Sequence, residues 1–308
     1  MNRAASYFWD RPDLSAGAPF VKVSWALFAF GIIALGLLTL AAGDFAFQWQ
    51  PVPPGVPARA LLARVVGLLF IGSGICLFVP SLSRIGAGAL AASFWAWELL
   101  LHVPPLLMTG ENWLGAAELL GLCGGSLALL GMTATRAYPG MLDWVVGSKA
   151  ITLGKLLFAF SLLVFGYSHF LYAEPASQMI ASWVPGRLFF TYLSGIGHIA
   201  AGLSLLTGVL ARIAAPTLCG MFASFILFFH LPRIIPDPGS RYEWTSTLIS
   251  LLLSGAAWAI AAAVQMAKSS NRAVSSEARL IANLSACGRK RWIRLQSNGF
   301  VRLKPDPQ

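Results

Sequence analysis

The chain has 308 residues, of which 57% are hydrophobic and only 11% charged, less than half the charged share of an ordinary soluble domain. That deficit excludes a water-soluble fold and makes the lipid bilayer the chain's main partner. The net charge of +10 does not point to nucleic acid, because nine of the 22 Lys and Arg residues lie beyond Ala267 and no basic nucleic-acid-binding motif is present.

Residues 1–22 form a polar tail that carries Asp10, Arg11, Asp13 and Lys22 ahead of the first apolar run, without the pattern of a cleavable signal peptide, so that run is expected to stay as an anchor. Eight apolar segments follow, near 23–42, 61–79, 87–107, 113–132, 151–173, 188–208, 213–232 and 245–266. Each is long enough to cross about 30 Å of hydrocarbon as a helix. The expected fold class is therefore an all-α integral membrane protein.

Shifting the sequence by 128 lays Val56-Pro57-Ala58-Arg59 on Val184-Pro185-Gly186-Arg187, and also Gly67 on Gly195, Gly74 on Gly202, and Arg84 on Arg212. The same shift lays His102-Val103-Pro104 on His230-Leu231-Pro232. Leu27-Phe-Ala-Phe30 matches Leu157-Phe-Ala-Phe160 at a shift of 130, and Trp113 matches Trp244 at 131. The pattern predicts two tandem four-helix units, 23–132 and 151–266, joined by a linker at 133–150 and followed by a basic tail at 267–308. An even helix number per unit makes the units parallel. Pro104 and Pro232 are expected to end the third helix of each unit.

Placing both termini in the cytoplasm puts Arg3, Arg11, Lys22, Arg84, Arg136, Lys149, Arg212 and the basic tail inside, against Arg59, Arg187, Arg233 and Arg241 outside. The tail, with Arg289-Lys-Arg-Trp-Ile-Arg294, is either a solvated segment or one lying on the anionic inner leaflet. Cys76, Cys123, Cys219 and Cys287 show no paired spacing, which argues against a disulfide framework, a zinc site or an iron–sulfur cluster.

Ionisable groups inside spanning helices are functional candidates. In the second unit they are His169, His198 and His230, with His169 and His230 near the outer ends of their helices and His198 near the middle of the membrane. In the first unit they are Arg64, Glu98, His102 and Glu118, which are placed to form a compensated polar cluster in the outer half of the bilayer. Three readings stand. The histidines hydrogen-bond across helix interfaces and hold the bundle; or His169, His198, His230 and His102 serve a quinone, haem or metal; or Glu98 and Glu118 mark a proton or small-solute path. Arg59 and Arg187, each at a helix start, either anchor to headgroups or hold an anion.

The stretch Gly166-x-x-His169-Phe170, Pro175, Trp183-Val-Pro185, Tyr192-Leu-Ser-Gly195-x-Gly197-His198-x-x-x-Gly202 and Arg212 resembles the DoxX family of prokaryotic membrane proteins. The likeness covers about residues 151–265, and it departs at His198, where the family often has an acidic residue. The resemblance implies a four-helix membrane bundle, here doubled, in a bacterial inner membrane. It implies an accessory or membrane-anchor subunit of a quinone-linked sulfur or thiol redox system, with redox-enzyme subunits as partners. The alternative is a small-solute or proton-coupled transporter with its site between the two units.

Overall fold

The computed structural model describes residues 18–47, 49–133 and 140–266, with side chains from Lys22 onward. The expected N-terminal tail up to residue 17 and the basic tail from 267 lie outside the described residues. The helices are α1 (Ala18–Ala42), α2 (Arg59–Phe78), α3 (Ser83–Thr109), α4 (Trp113–Met132), a short α5 (Leu142–Val146), α6 (Ser148–Leu171), a short α7 (Ala173–Met179), α8 (Arg187–Thr207), α9 (Ala211–Ile234) and α10 (Arg241–Met266). Eight of them are long and apolar enough to span a bilayer. In lipid, a helix satisfies its backbone groups internally, so continuous apolar runs of this length have no competing fold.

Two helices form the centre. The most apolar stretches of α4 and α10 are each 78% buried inside the bundle, against 28–44% for the other six. Those six turn large apolar side chains outward, among them Phe30, Leu68, Leu100, Phe160, Phe189 and Ile213, as lipid-facing helices do.

Small residues set the contacts, because apolar helices in lipid gain little from apolar area and pack instead by close backbone approach. A Cβ on Gly36 would stand 2.6 Å from the Gly67 carbonyl oxygen, and one on Gly166 would stand 2.8 Å from that of Gly195. These contacts seat α1 on α2 and α6 on α8. On α4, Gly124 faces Leu157 and the backbone nitrogen of Phe158; on α10, Gly255 faces Leu27 and the backbone nitrogen of Phe28. The two central helices meet where Gly125 abuts Ala256.

The expected proline stops differ from what is observed. Both third helices continue past Pro104 and Pro232, and each does so through one π-helical turn, at Glu98–His102 and at Ile226–His230. The wider turn accommodates a ring that cannot donate back to the preceding turn. Pro232 cannot bond the Phe228 carbonyl, and the N–H of Ala181, in the segment before α8, donates to it at 3.2 Å instead. The helix and the connecting segment are thereby tied together. The two π turns lie 128 residues apart, as do the starts of α2 and α8 and of α3 and α9.

Candidate functional site

The first polar centre sits between α6, α8 and α9. His169 lies two residues from the end of α6 and His198 about three turns into α8, yet their ring centroids are 5.0 Å apart with planes tilted by 37°. The sequence places them at different depths. They meet because Gly166 of α6 packs on the Gly195 carbonyl of α8 and Gly202 of α8 packs on the Ala159 carbonyl of α6, which sets the end of α6 level with the interior of α8. Phe165, Phe222 and Phe225 surround the pair, with Phe225 stacked on His169 at 6.0 Å. Each imidazole Nδ1–H donates to a carbonyl one turn back on its own helix, His169 to Phe165 at 2.8 Å and His198 to Ser194 at 2.9 Å. His198 is only 1% exposed, and its Nε2 has no hydrogen-bond partner among the described residues.

A second polar centre joins α9 to α10. Buried His230 contacts the Glu243 Oε2 through Nδ1 at 3.2 Å, and the Ser250 hydroxyl lies 3.4 Å from its Nε2. Arg233 pairs through Nε with the other carboxylate oxygen of Glu243 at 2.6 Å. Arg233 also lines an open cleft of about 580 Å³, walled by Gln178, Met179, Trp183, Pro232 and Ile235. A chain of hydrogen-bonding groups thus runs from that cleft through Arg233, Glu243 and His230 to Ser250. Tyr242 lies within electrostatic reach of Glu243 and Arg233, and also of Glu118. Sequence reading missed Glu243 because the eighth apolar run begins after it. The shift of 131 that matches the tryptophans also lays Asn112 on Glu243, and that was the available signal.

The first half carries a different arrangement at the matching places. His102 is fully buried, with Nε2 3.0 Å from the Trp49 carbonyl and Nδ1 3.0 Å from the Asn112 amide nitrogen. Glu98, on the same π turn, is buried, and its Oε2 has no hydrogen-bond partner among the described residues. Arg64 is exposed on α2, and no ion pair joins it to Glu98 or Glu118 among the described residues. Where α8 carries His198, α2 carries Phe70, packed with Trp49 and Phe94. Where α6 carries His169, α1 carries Thr39, whose hydroxyl donates to Leu35 at 2.8 Å.

Arg59 is engaged in the loop between α1 and α2. It pairs with Asp44 at 2.9 Å and donates to the carbonyls of Val52 and Pro53. Burial works against the charge on Asp44, but hydrogen bonds from Arg59 and the Phe45 N–H, with the charges of Arg59 and Arg241, hold its carboxyl below the ordinary 3.8. Arg187 reaches the Ile180 carbonyl at 3.5 Å. Cys76, Cys123 and Cys219 are free thiols, and Cys287 lies outside the described residues.

Among the described residues, no group of three or more His, Cys, Asp or Glu side chains is arranged to hold a metal ion. Comparison with family models, curated proteins and solved structures returns no match to this chain.

Proposed function

We infer that this multi-pass membrane protein is a quinone-reactive accessory subunit of a redox system, DoxX-like in kind and resident in a bacterial inner membrane. The observation that carries the reading is the cleft backed by Arg233, Glu243, His230 and Ser250. Quinone reduction needs an apolar slot for a ring, a donor for its developing negative oxygen, and a proton source. The cleft supplies Trp183, Met179 and Ile235 for the first, and Arg233 for the second. Glu243 and His230 supply acid–base groups on the third. Sulfur and thiol redox enzymes are the proposed partners of such a subunit.

The architecture that goes with this reading is two parallel four-helix units with both termini in the cytoplasm. The shared offset of helix starts and π turns supports it, as do the paired packings of Gly124 on Phe158 and Gly255 on Phe28. Gly125 abuts Ala256, its own counterpart at a shift of 131, so the pseudo-two-fold axis would pass between α4 and α10. The orientation rests on the inside excess of Lys and Arg.

The test is photo-crosslinking with a short-chain azidoquinone in nanodiscs. Label on α9 or residues 178–183, lost on Arg233→Met and competed by unmodified quinone, supports the reading. Label spread evenly over lipid-facing helices, indifferent to Arg233→Met, refutes it. A second reading, proton-coupled carriage of a small solute, is favoured by Glu98, a buried carboxyl with one oxygen unsatisfied on a π turn. Solute uptake in proteoliposomes that is driven by a pH gradient and abolished by Glu98→Gln would establish it. Uptake that Glu98→Gln leaves unchanged would remove it.

A further inference from the structure

His169 and His198 do not line the cleft, and the first half packs without a histidine at either matching place. Their counterparts, Thr39 and Phe70, fill the matching places in the first half with a hydroxyl bonded back to its own helix and an aromatic cluster. The second half instead buries an imidazole whose Nε2 finds no donor, and an unsatisfied buried polar group is penalised. A ligand that accepts that lone pair would remove the penalty.

The hydrogen bonds fix what kind of ligand. A carbonyl oxygen only accepts, so the Phe165 and Ser194 carbonyls hold the proton of each ring on Nδ1. Both Nε2 atoms then carry lone pairs. A ring nitrogen tied to a backbone carbonyl, with the other left free, is the outer-shell arrangement that orients metal-binding histidines. The ring centroids lie 5.0 Å apart with planes tilted by 37°, so the two side chains would have to turn their Nε2 atoms toward a common point to share one ion at metal–nitrogen distances of about 2.0–2.1 Å.

The surroundings choose among metals. The rings are walled by Phe165, Phe222 and Phe225, and no described group of three or more ligating side chains is arranged for a metal. Zinc wants three or four protein ligands, and hard divalent ions want oxygen. An ion's solvation cost rises with the square of its charge, so a site without anionic ligands, in an apolar wall, favours a monovalent one. Imidazole suits copper, and the cuprous ion accepts two-coordinate geometry. We propose that His169 and His198 bind one cuprous ion through their Nε2 atoms. Binding displaces no proton and transfers no electron, since both rings are neutral in this tautomer and the ion stays Cu(I).

The experiment uses the full chain in nanodiscs, kept anaerobic, titrated with Cu(I) against bicinchoninate and read by X-ray absorption. The expected result is a single equivalent with two nitrogen scatterers, lost in both His198→Phe and His169→Thr. Those substitutions copy the residues that the first half packs at the same places, so helicity and monodispersity should be kept. If His198→Phe nonetheless misfolds, His169→Thr decides. Asn112→Ala should leave the equivalent intact, which separates this site from His102, and Glu243→Gln should too, which separates it from the group behind the cleft. Absence of binding in the unaltered protein, or retention of the equivalent in His169→Thr, overturns the proposal. Stoichiometric Zn(II) binding with the same dependence on both histidines overturns the assignment of the ion.

Discussion

The ion pair between Arg233 and Glu243 is unequal, and the inequality can be measured. The Glu243 side chain is 4% exposed and that of Arg233 is 38% exposed. Removing Arg233 strands a carboxylate that cannot reach water and keeps only the His230 ring beside it. Breaking a buried pair from that side costs about 3–5 kcal/mol, and the lower end applies because His230 remains. Glu243→Gln leaves a guanidinium that can turn outward to the interface, where a lost pair is worth about 1 kcal/mol or less. Arg233→Met should therefore be the more damaging by about 2 kcal/mol, a ~30-fold difference in the folded population.

The double variant Arg233→Met/Glu243→Gln should fall near Glu243→Gln alone, because removing both charges also removes the stranded one. Reversible unfolding in mixed dodecylmaltoside and SDS micelles would give the three values. Glu243→Gln at least as damaging as Arg233→Met, or a double variant equal to the sum of the singles, would show that the pair is not asymmetric and that Glu243 is hydrated. A hydrated Glu243 could not be the sheltered proton donor behind the cleft.

Four further outcomes follow from local geometry. A Cβ on Gly154 would run into the Gly124 carbonyl and the Ala128 backbone nitrogen, so Gly154→Ala should destabilise the α4–α6 contact by about 1–3 kcal/mol. Gly220→Ala, with nothing within 4 Å, should be neutral or stabilise by up to about 1 kcal/mol in the same assay. Ala58 starts α2 at a left-handed φ of 53°, where Gly186 stands at the start of α8 with 65°. Ala58→Gly should gain about 1 kcal/mol and Gly186→Ala lose a similar amount. Asp44 has a carboxyl held below its ordinary value, so its contribution is present above about pH 4 and is lost as the pH falls through the lowered value. Unfolding midpoints measured from pH 6 down to pH 3 should show a loss that Asp44→Asn abolishes.

The helices were legible because the signal that defines them, a long apolar run, depends on sequence alone. Their ends were less so, and the errors share one cause. The third and eighth spans begin at Ser83 and Arg241, four residues before their apolar runs at 87 and 245. The first turns of both helices are polar, with Ser83 and Arg84 in one and Arg241, Tyr242 and Glu243 in the other. A hydropathy reading cuts off such turns, and the second cut hid the partner of His230. The π turns were invisible for a related reason. Pro104 and Pro232 read as stops, and nothing in the local sequence says that one wide turn will carry the helix past them.

Depth is where sequence reasoning failed most instructively. Counting residues along α6 and α8 separates His169 from His198 by half a membrane, but helices in a bundle are offset by whatever the connecting chain demands. Here Gly166 of α6 packs on Gly195 of α8, and Gly202 of α8 on the Ala159 carbonyl of α6, so the end of α6 lies level with the interior of α8. The same comparison between halves also isolates what differs. At matching places the first half has Thr39, Phe70 and Asn112, and the second has His169, His198 and Glu243. Such substitutions add unpaired lone pairs and buried charge while the surrounding glycine contacts stay the same. Glu98 is the buried, unsatisfied carboxyl of the first half, whereas the paired histidines and the cleft with its ion pair belong to α6 to α10.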